Sequence, residues 1–424
     1  MAKTRIEGPS EAVPQSPPVT RFDVAIVGAG HAGAQAAIQL RQLGFDGSIG
    51  LIGAEAEPPY ERPPLSKDYL AGEKDFERML VRPEGFWAER GVELVRGTRI
   101  DSVDPGARIL TDGSGGRFGY GTLIWAAGAT PRRLRCEGGD LDGVHVVRRK
   151  ADVDSIRSGL GSVRRVAVVG GGYIGLETAA VLRGLGKEVV LIEALNRVLA
   201  RVAGTEISSF YEAEHRARGV DLRLGAAVAA VAGEGGRVAG LRLQSGELVE
   251  AQMAIVGIGV EAAVEPLLAA GAAGANGVEV DEYCRTSLPG VYAVGDCAGH
   301  SNRFAGGLRI RVESVQNAHD QAAAAAKSIV GRPEPYDSVP WFWSNQYDLR
   351  LQTVGLSVGH DSTLVRGRPE ERSFSILYLL EGRVIALDCV NSTRDYVQGR
   401  KLVLEGRRVA PERLADCSVP LKDS

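Results

Sequence analysis

Short apolar runs alternate with amphipathic stretches along most of the chain. Runs rich in Val, Ile and Ala, too short for helices, predict strands over 22–27, 48–53, 122–126, 165–169, 188–192, 220–224, 238–244, 252–257 and 290–294. Apolar positions spaced three and four apart predict helices over 31–43, 84–90, 151–158, 173–184, 205–217 and 312–329. Strand and helix in alternation point to parallel sheets, because parallel neighbours need a crossover and a helix supplies it. Beyond about residue 337 the turns shorten. There LQTVGLS, SILYLLE and RVIALDCVN read as antiparallel strands, followed by a closing helix near 394–404.

Two of the strand-to-helix junctions share one grammar. Residues 23–34 read DVAIVGAGHAGA and residues 166–177 read VAVVGGGYIGLE. GxGxxG falls at Gly28, Gly30 and Gly33, and again at Gly170, Gly172 and Gly175. The first glycine permits a tight turn, the second lets a diphosphate approach the backbone, and the third lets helix and strand pack closely. The helix N-terminus then offers unpaired N–H groups to the phosphates. Each second strand ends near an acid suited to ribose hydroxyls: Glu55 in SIGLIGAEAE and Glu193 in EVVLIEALN. Arg197 and Arg201 follow Glu193, and either could reach that pocket or serve the diphosphate side. Two complete units imply two Rossmann-like dinucleotide-binding domains in an α/β protein.

Composition narrows function by exclusion. The chain of 424 residues is 44% hydrophobic and 24% charged with net charge −3, so no bulk field favours nucleic acid or anionic lipid. Any basic docking face must be local. No apolar run approaches the roughly 18 residues of a membrane span. The cysteines Cys136, Cys284, Cys297, Cys389 and Cys417 form neither CxxC nor metal-ligand spacings, which fits a reducing, cytoplasmic setting and no metal. Residues 1–19 lack the apolar segment of a signal peptide and are expected to be a disordered extension.

Two further stretches, TLIWAAGATP (122–131) and GVYAVGDCAG (290–299), resemble the extra motifs of pyridine-nucleotide flavoproteins of the glutathione-reductase fold. That resemblance implies FAD on the first unit and a nicotinamide nucleotide on an inserted second unit. Dithiol members of the fold carry a cysteine pair after the second FAD strand. Here that segment is PPYERPPLSKDYL (58–70), without cysteine. Its RPPLSK, with RVESVQNAHDQA (311–322) and PWFWSNQYDLRLQ (340–352), is similar to the FAD-dependent NADH:ferredoxin reductases of bacterial oxygenase systems, the putidaredoxin reductase and biphenyl-dioxygenase ferredoxin reductase type. Asn345 stands where that family has Asp.

The resemblance and the motifs together place FAD against Gly28, Gly30, His31, Ala32, Gly33, Glu55, Arg62, Lys67, Ala127, Arg132, Asp296, Val315 and Trp343. They place NADH against Gly170, Gly172, Tyr173, Ile174, Gly175, Glu177, Glu193, Arg201 and Gly259. Past Gly259 the family continues with Pro-Asn, where this chain has Glu261, Ala262 and Ala263. Lys67 and Glu177 are the catalytic candidates, expected to pair beside the flavin from different domains. The alternatives are a plain helix-face carboxylate for Glu177 and core aromatics for Trp341 and Trp343.

The expected FAD domain takes 20–126 and 264–336, the NAD domain 127–263, and a mixed α/β C-terminal domain 337–424. The implied reaction passes electrons from NADH through FAD, one at a time, to an acidic 2Fe-2S ferredoxin feeding a cytochrome P-450 monooxygenase or Rieske dioxygenase. The protein is expected as a monomer or homodimer, with Arg309, Arg311, Arg394, Arg400 and Lys401 as candidate docking cations. The rivals are a rubredoxin reductase, an NADH oxidase or disulfide reductase, and an NADH-responsive signalling flavoprotein like apoptosis-inducing factor.

Overall fold

A computed structural model describes residues 19–423. The expected extension lies outside the described residues except for Val19, which opens the first strand. Val19–Val27 is flanked in parallel by Ile49–Ile52 and Arg117–Trp125, with Val92–Val95 beyond and Val291–Ala293 joining Arg117–Trp125 late in the chain. The residues 49–52 are buried throughout, as a sheet covered on both faces requires. A second parallel sheet runs Val220–Arg223, Glu188–Ile192, Arg165–Val169, Met253–Val256 and Val144–Val146. The chain passes between these sheets twice, and the two passages pair as an antiparallel ladder, Ala129–Pro131 with Val260–Ala262.

The run at 238–244 forms a strand, Arg237–Leu243, but not in a parallel sheet. It is the centre of an antiparallel meander with Val228–Glu234 and Leu248–Glu250. Its turns carry Gly235, Gly236 and Gly246 at positive φ, so they reverse the chain too tightly for a helical crossover. The helix expected from 312 begins at Val315, because the Ser314 hydroxyl accepts the Asn317 N–H and caps it.

The C-terminal region is a five-stranded antiparallel sheet ordered 341–346, 349–355, 383–390, 373–380, 362–368. Helix Thr393–Glu405 covers it through Leu402 and Val403, which join a core with Leu387 and Val354. Strand Trp341–Gln346 is the element that matters for the site. Successive side chains of a strand alternate faces. Phe342, Ser344 and Gln346 face helices Tyr173–Gly184 and Thr205–Ala217, while Asn345 is exposed and pairs across the ladder with Arg350. The Asn at 345 therefore stands at an exposed position, on the strand face it shares with Trp343.

Candidate active site

The two glycine turns are superimposable in their constraints. Gly28 has φ 109° and Gly170 φ 107°, a region open to glycine. A Cβ on Gly33 would lie 1.9 Å from the Gly28 carbonyl oxygen, and one on Gly175 would lie 2.0 Å from that of Gly170. The third glycine thus serves helix–strand packing and does not face a ligand. The second does: a Cβ at Gly30 would meet only Arg62, at 3.8 Å, and one at Gly172 would meet nothing within 4 Å. Helices His31–Gln42 and Tyr173–Gly184 start at these residues with no side-chain cap and no acid in the first turn. Their first N–H groups are left for a ligand.

The first turn opens into a cavity of about 360 Å³, lined by Gly28, Gly30, His31, Ala32, Glu55, Arg62, Lys67, Ala127, Asp296, Val315 and Trp343 among others. At the turn its polar lining pairs arginines with acids. Arg62 binds the Glu55 carboxylate at 2.7 Å and the Arg148 carbonyl at 2.7 Å; Tyr60 donates to Glu55 at 2.5 Å. Arg148 reaches Asp296 at 3.4 Å. Burial pushes the His31 imidazole down to about 3, and the charges of His319, Arg62 and Arg148 push the same way, so it is neutral at physiological pH. Burial alone would raise the Glu55 carboxyl, but Arg62 and the Tyr60 hydrogen bond outweigh it and hold it low. Arginines gathered at an uncapped helix start, with an acid one strand away, suit a dinucleotide diphosphate and its ribose.

Deeper in the cavity, Lys67 and Glu177 meet. The Lys67 Nζ lies 2.5 Å from Glu177 Oε2, and both line the cavity. Glu177 is 1% exposed, and it also accepts from Ser66 Oγ at 2.6 Å and from Ser344 Oγ at 2.6 Å. Three donors on one buried carboxylate supply the compensation a buried charge demands. Ser66 and Ser344 were not visible as site residues, since nothing local marks a serine that folding brings to an acid 111 or 167 positions away.

Other candidates are placed differently. Arg132 does not line the cavity. It sits on the exposed ladder between the two parallel sheets, with its side chain 54% exposed and 3.8 Å from Glu261. Arg148, which sequence reasoning missed, occupies the cavity instead. Gly259 has φ 100° and its carbonyl accepts the Arg132 N–H at 2.9 Å. Glu261, beyond it, turns to Arg132 and Arg135. Tyr173 packs on Phe342 with ring centroids 4.6 Å apart, whereas Ile174 stands at the cavity rim. Trp343 lines the cavity and Trp341 stacks behind it at 5.6 Å, joining the C-terminal core.

Around the second turn, Glu193 accepts the N–H of Gly171 at 2.6 Å and of Leu195 at 2.7 Å. Arg197 is committed to the Ala203 and Ala200 carbonyls and to Ser208, so Arg201, which is exposed, is left as the cation near this loop. Among the docking candidates, Arg311 is not available. Its side chain is 8% exposed and bonds to Glu313, Asn276 and the Asp296 carbonyl. Arg309 pairs with Glu279 and Lys401 with Glu405, while Arg394 and Arg400 are exposed. No cysteine lines the cavity, and among the described residues no cluster fits a metal and no helix is long and apolar enough to cross a membrane.

Comparison with known proteins agrees with this geometry. Residues 22–322 match the family described as pyridine nucleotide-disulphide oxidoreductase, and residues 341–424 match the reductase C-terminal family. The 5,5'-dehydrodivanillate O-demethylase ferredoxin reductase subunit of a Sphingobium species is 62% identical over 403 residues, covering 95% of this chain and 98% of the relative. The ferredoxin reductase for the CYP199A2 system of Rhodopseudomonas palustris is 42% identical, with TM-score 0.91 over 94% of this chain and 99% of its own. The reductase of the covalent putidaredoxin reductase–putidaredoxin complex is 35% identical, with TM-score 0.91 over 95% and 97% of the two chains. With two dinucleotide turns, one shared cavity and these matches across nearly its whole length, the chain belongs to the pyridine nucleotide-disulphide oxidoreductase family.

Proposed function

We propose that this chain is an NADH:ferredoxin oxidoreductase that holds FAD in the cavity, takes NADH at the second turn, and delivers single electrons to a 2Fe-2S ferredoxin of an oxygenase or demethylase system. One observation carries the reading. Ile174 and Glu177, from the helix of the second turn, line the same cavity as Gly28–Ala32 of the first, and no thiol stands between them. A bound FAD supplies the conversion of one hydride into two separately released electrons. The chain supplies the rest. Arg62 and Arg148, with the free N–H groups at His31 and Ala32, would hold the diphosphate side; Glu55 and Asp296 would hold sugar hydroxyls. Lys67 brings a fixed positive charge into the cavity, where it stabilises negative charge developing on a reduced cofactor. Trp343, Phe342 and Val315 exclude water around it.

The domain limits that go with this reading are 20–126 with 264–336 for FAD, 127–263 for NADH, and 337–424 for the C-terminal region. The ferredoxin relatives support the acceptor, and the absence of cysteine from the cavity lining disfavours a disulfide acceptor. The test is anaerobic. NADH should bleach the flavin of the FAD-loaded protein within one turnover, and cytochrome c reduction should then require added 2Fe-2S ferredoxin. Equal cytochrome c reduction without ferredoxin, or turnover of disulfides at a comparable rate, would refute the reading.

A further inference from the structure

The Glu177 carboxylate is the end of a longer chain of buried groups. Ser344 Oγ lies 2.6 Å from Glu177 Oε1, and Gln346 Nε2 lies 3.2 Å from Ser344 Oγ. Gln346 Oε1 lies 2.9 Å from His215 Nε2, and the Tyr347 hydroxyl lies 3.1 Å from His215 Nδ1. Ser344, Gln346 and His215 are each no more than 1% exposed. The chain joins three separate elements: helix Tyr173–Gly184, helix Thr205–Ala217 and strand Trp341–Gln346.

Proton counting gives it one direction. A serine has a single hydroxyl proton, and the Glu177 carboxylate can only accept it. Ser344 must then accept from its other neighbour, so the Gln346 amide presents NH₂ to it. The Gln346 carbonyl therefore faces His215 and requires an Nε2–H. Nδ1 is left to accept from Tyr347. Burial pushes the His215 imidazole down to about 4, consistent with this neutral form. If the amide were reversed, Ser344 would donate to it, and Glu177 would lose that hydrogen bond. A second, independent feature holds the outer end. Tyr347 stands at φ 57° in the hairpin turn, a conformation that disfavours a bulky residue, and its ring packs under Arg218 at 4.4 Å.

We infer that His215 and Gln346 are positioning residues of the Lys67–Glu177 pair. The His215 tautomer fixes the Gln346 amide, the amide fixes the Ser344 proton on Glu177, and the carboxylate so anchored fixes the Lys67 ammonium in the cavity. Within the WSNQYD segment Trp343 lines the cavity, and Ser344 and Gln346 act from behind it through Glu177. The inference rests on the proposal that Lys67 acts on a bound flavin.

The experiment uses the FAD-loaded full chain. First, histidine ¹⁵N spectra of the wild type should show His215 as the Nε2–H tautomer; the Nδ1–H tautomer would overturn the inference whatever the protein does. Second, Gln346→Met and Ser344→Ala should each lower the limiting rate of anaerobic flavin reduction by about fivefold, the loss of one hydrogen bond, with the half-saturating NADH concentration unchanged. Ser344→Thr, which keeps the hydroxyl, should restore the rate. In a Glu177→Gln background, Gln346→Met should cost nothing more, because the chain acts only through that carboxylate. An equal further loss there, or wild-type rates in Ser344→Ala, would overturn the positioning role. A wild-type protein that NADH does not reduce would overturn the functional reading instead, and the tautomer measurement would still decide the direction of the chain.

Discussion

The two glycine turns use one backbone solution and exchange sizes where the turn meets the end of the second strand. Both first glycines donate their N–H to the end of the second strand, Gly28 to Ile52 and Gly170 to Ile192, at 2.8 Å each. The next residue of that strand is Gly53 in one unit and Glu193 in the other. In the first unit the small Gly53 leaves room for Ala29, whose Cβ would be 2.8 Å from any Cβ on residue 53. In the second unit the sizes are exchanged: Gly171 replaces the alanine and the Glu193 carboxylate lies over it, bonded to its N–H. The acid of the first unit comes two residues later, at Glu55, and is tied to Arg62 and Tyr60 inside the cavity. The same turn therefore opens on a cavity whose acid is held by an arginine and a tyrosine in one copy, and in the other carries a carboxylate folded directly over the turn.

The largest effects should come from the packing both units share. Gly33→Ala and Gly175→Ala each drive a Cβ into a backbone oxygen, and each should cost about 3 kcal/mol. They should differ in consequence. Gly33→Ala should yield colourless protein without FAD, whereas Gly175→Ala should keep the flavin spectrum and lose reduction by NADH. Loss of flavin from Gly175→Ala alone would reverse the assignment of the units.

Next is the link between them. Lys67→Ala leaves Glu177 buried with Ser66 and Ser344 but no cation. Unfolding measured by denaturant should show a loss of up to about 3 kcal/mol, with slower flavin reduction and FAD retained. Unchanged stability and rate would mean the pair is a surface-grade contact.

A smaller effect separates the two acids. Glu193 faces the outer turn, and a carboxylate there repels the 2′-phosphate of NADPH. We expect NADH to be favoured over NADPH by at least about tenfold in kcat/KM, about 1.4 kcal/mol, and Glu193→Gln to narrow that ratio by admitting NADPH. Parity of the two cofactors in the wild type would mean Arg201 dominates.

The smallest effect lies outside both units. Arg394 and Arg400 flank Val397, which is 62% exposed, on helix Thr393–Glu405. Arg394→Glu and Arg400→Glu should each raise the KM for an acidic ferredoxin by about threefold at low salt, and less as salt rises. A KM indifferent to both charge reversal and ionic strength would remove this helix from the docking face.

What the sequence discloses follows the range of the forces involved. The strand–glycine–helix units are local, so the periodicity and the glycines locate them within three residues. Lys67 and Glu177 are 110 positions apart, and only family resemblance joined them before the geometry did. His215, Ser344 and Ser66 carry no local mark, because their partners arrive by tertiary folding. Arg132 and Arg148 show the same limit. Both are arginines after a strand near the crossover, and only the ladder Ala129–Pro131 with Val260–Ala262 turns one outward while the other enters the cavity. Arg311 looked like a surface charge because charge alone does not reveal a guanidinium pinned to the Asp296 carbonyl.

The most direct test of the division of labour uses the second glycines. Gly30 and Gly172 have ordinary φ values of −83° and −79°, and a Cβ at either meets no protein atom closer than 3.8 Å. Alanine there should leave the fold intact and meet only a bound dinucleotide. Measured side by side, Gly30→Ala should weaken FAD binding by at least about tenfold, while Gly172→Ala should retain FAD and raise the KM for NADH by at least about tenfold. Loss of FAD from Gly172→Ala, or unchanged binding of both cofactors in both variants, would contradict the account.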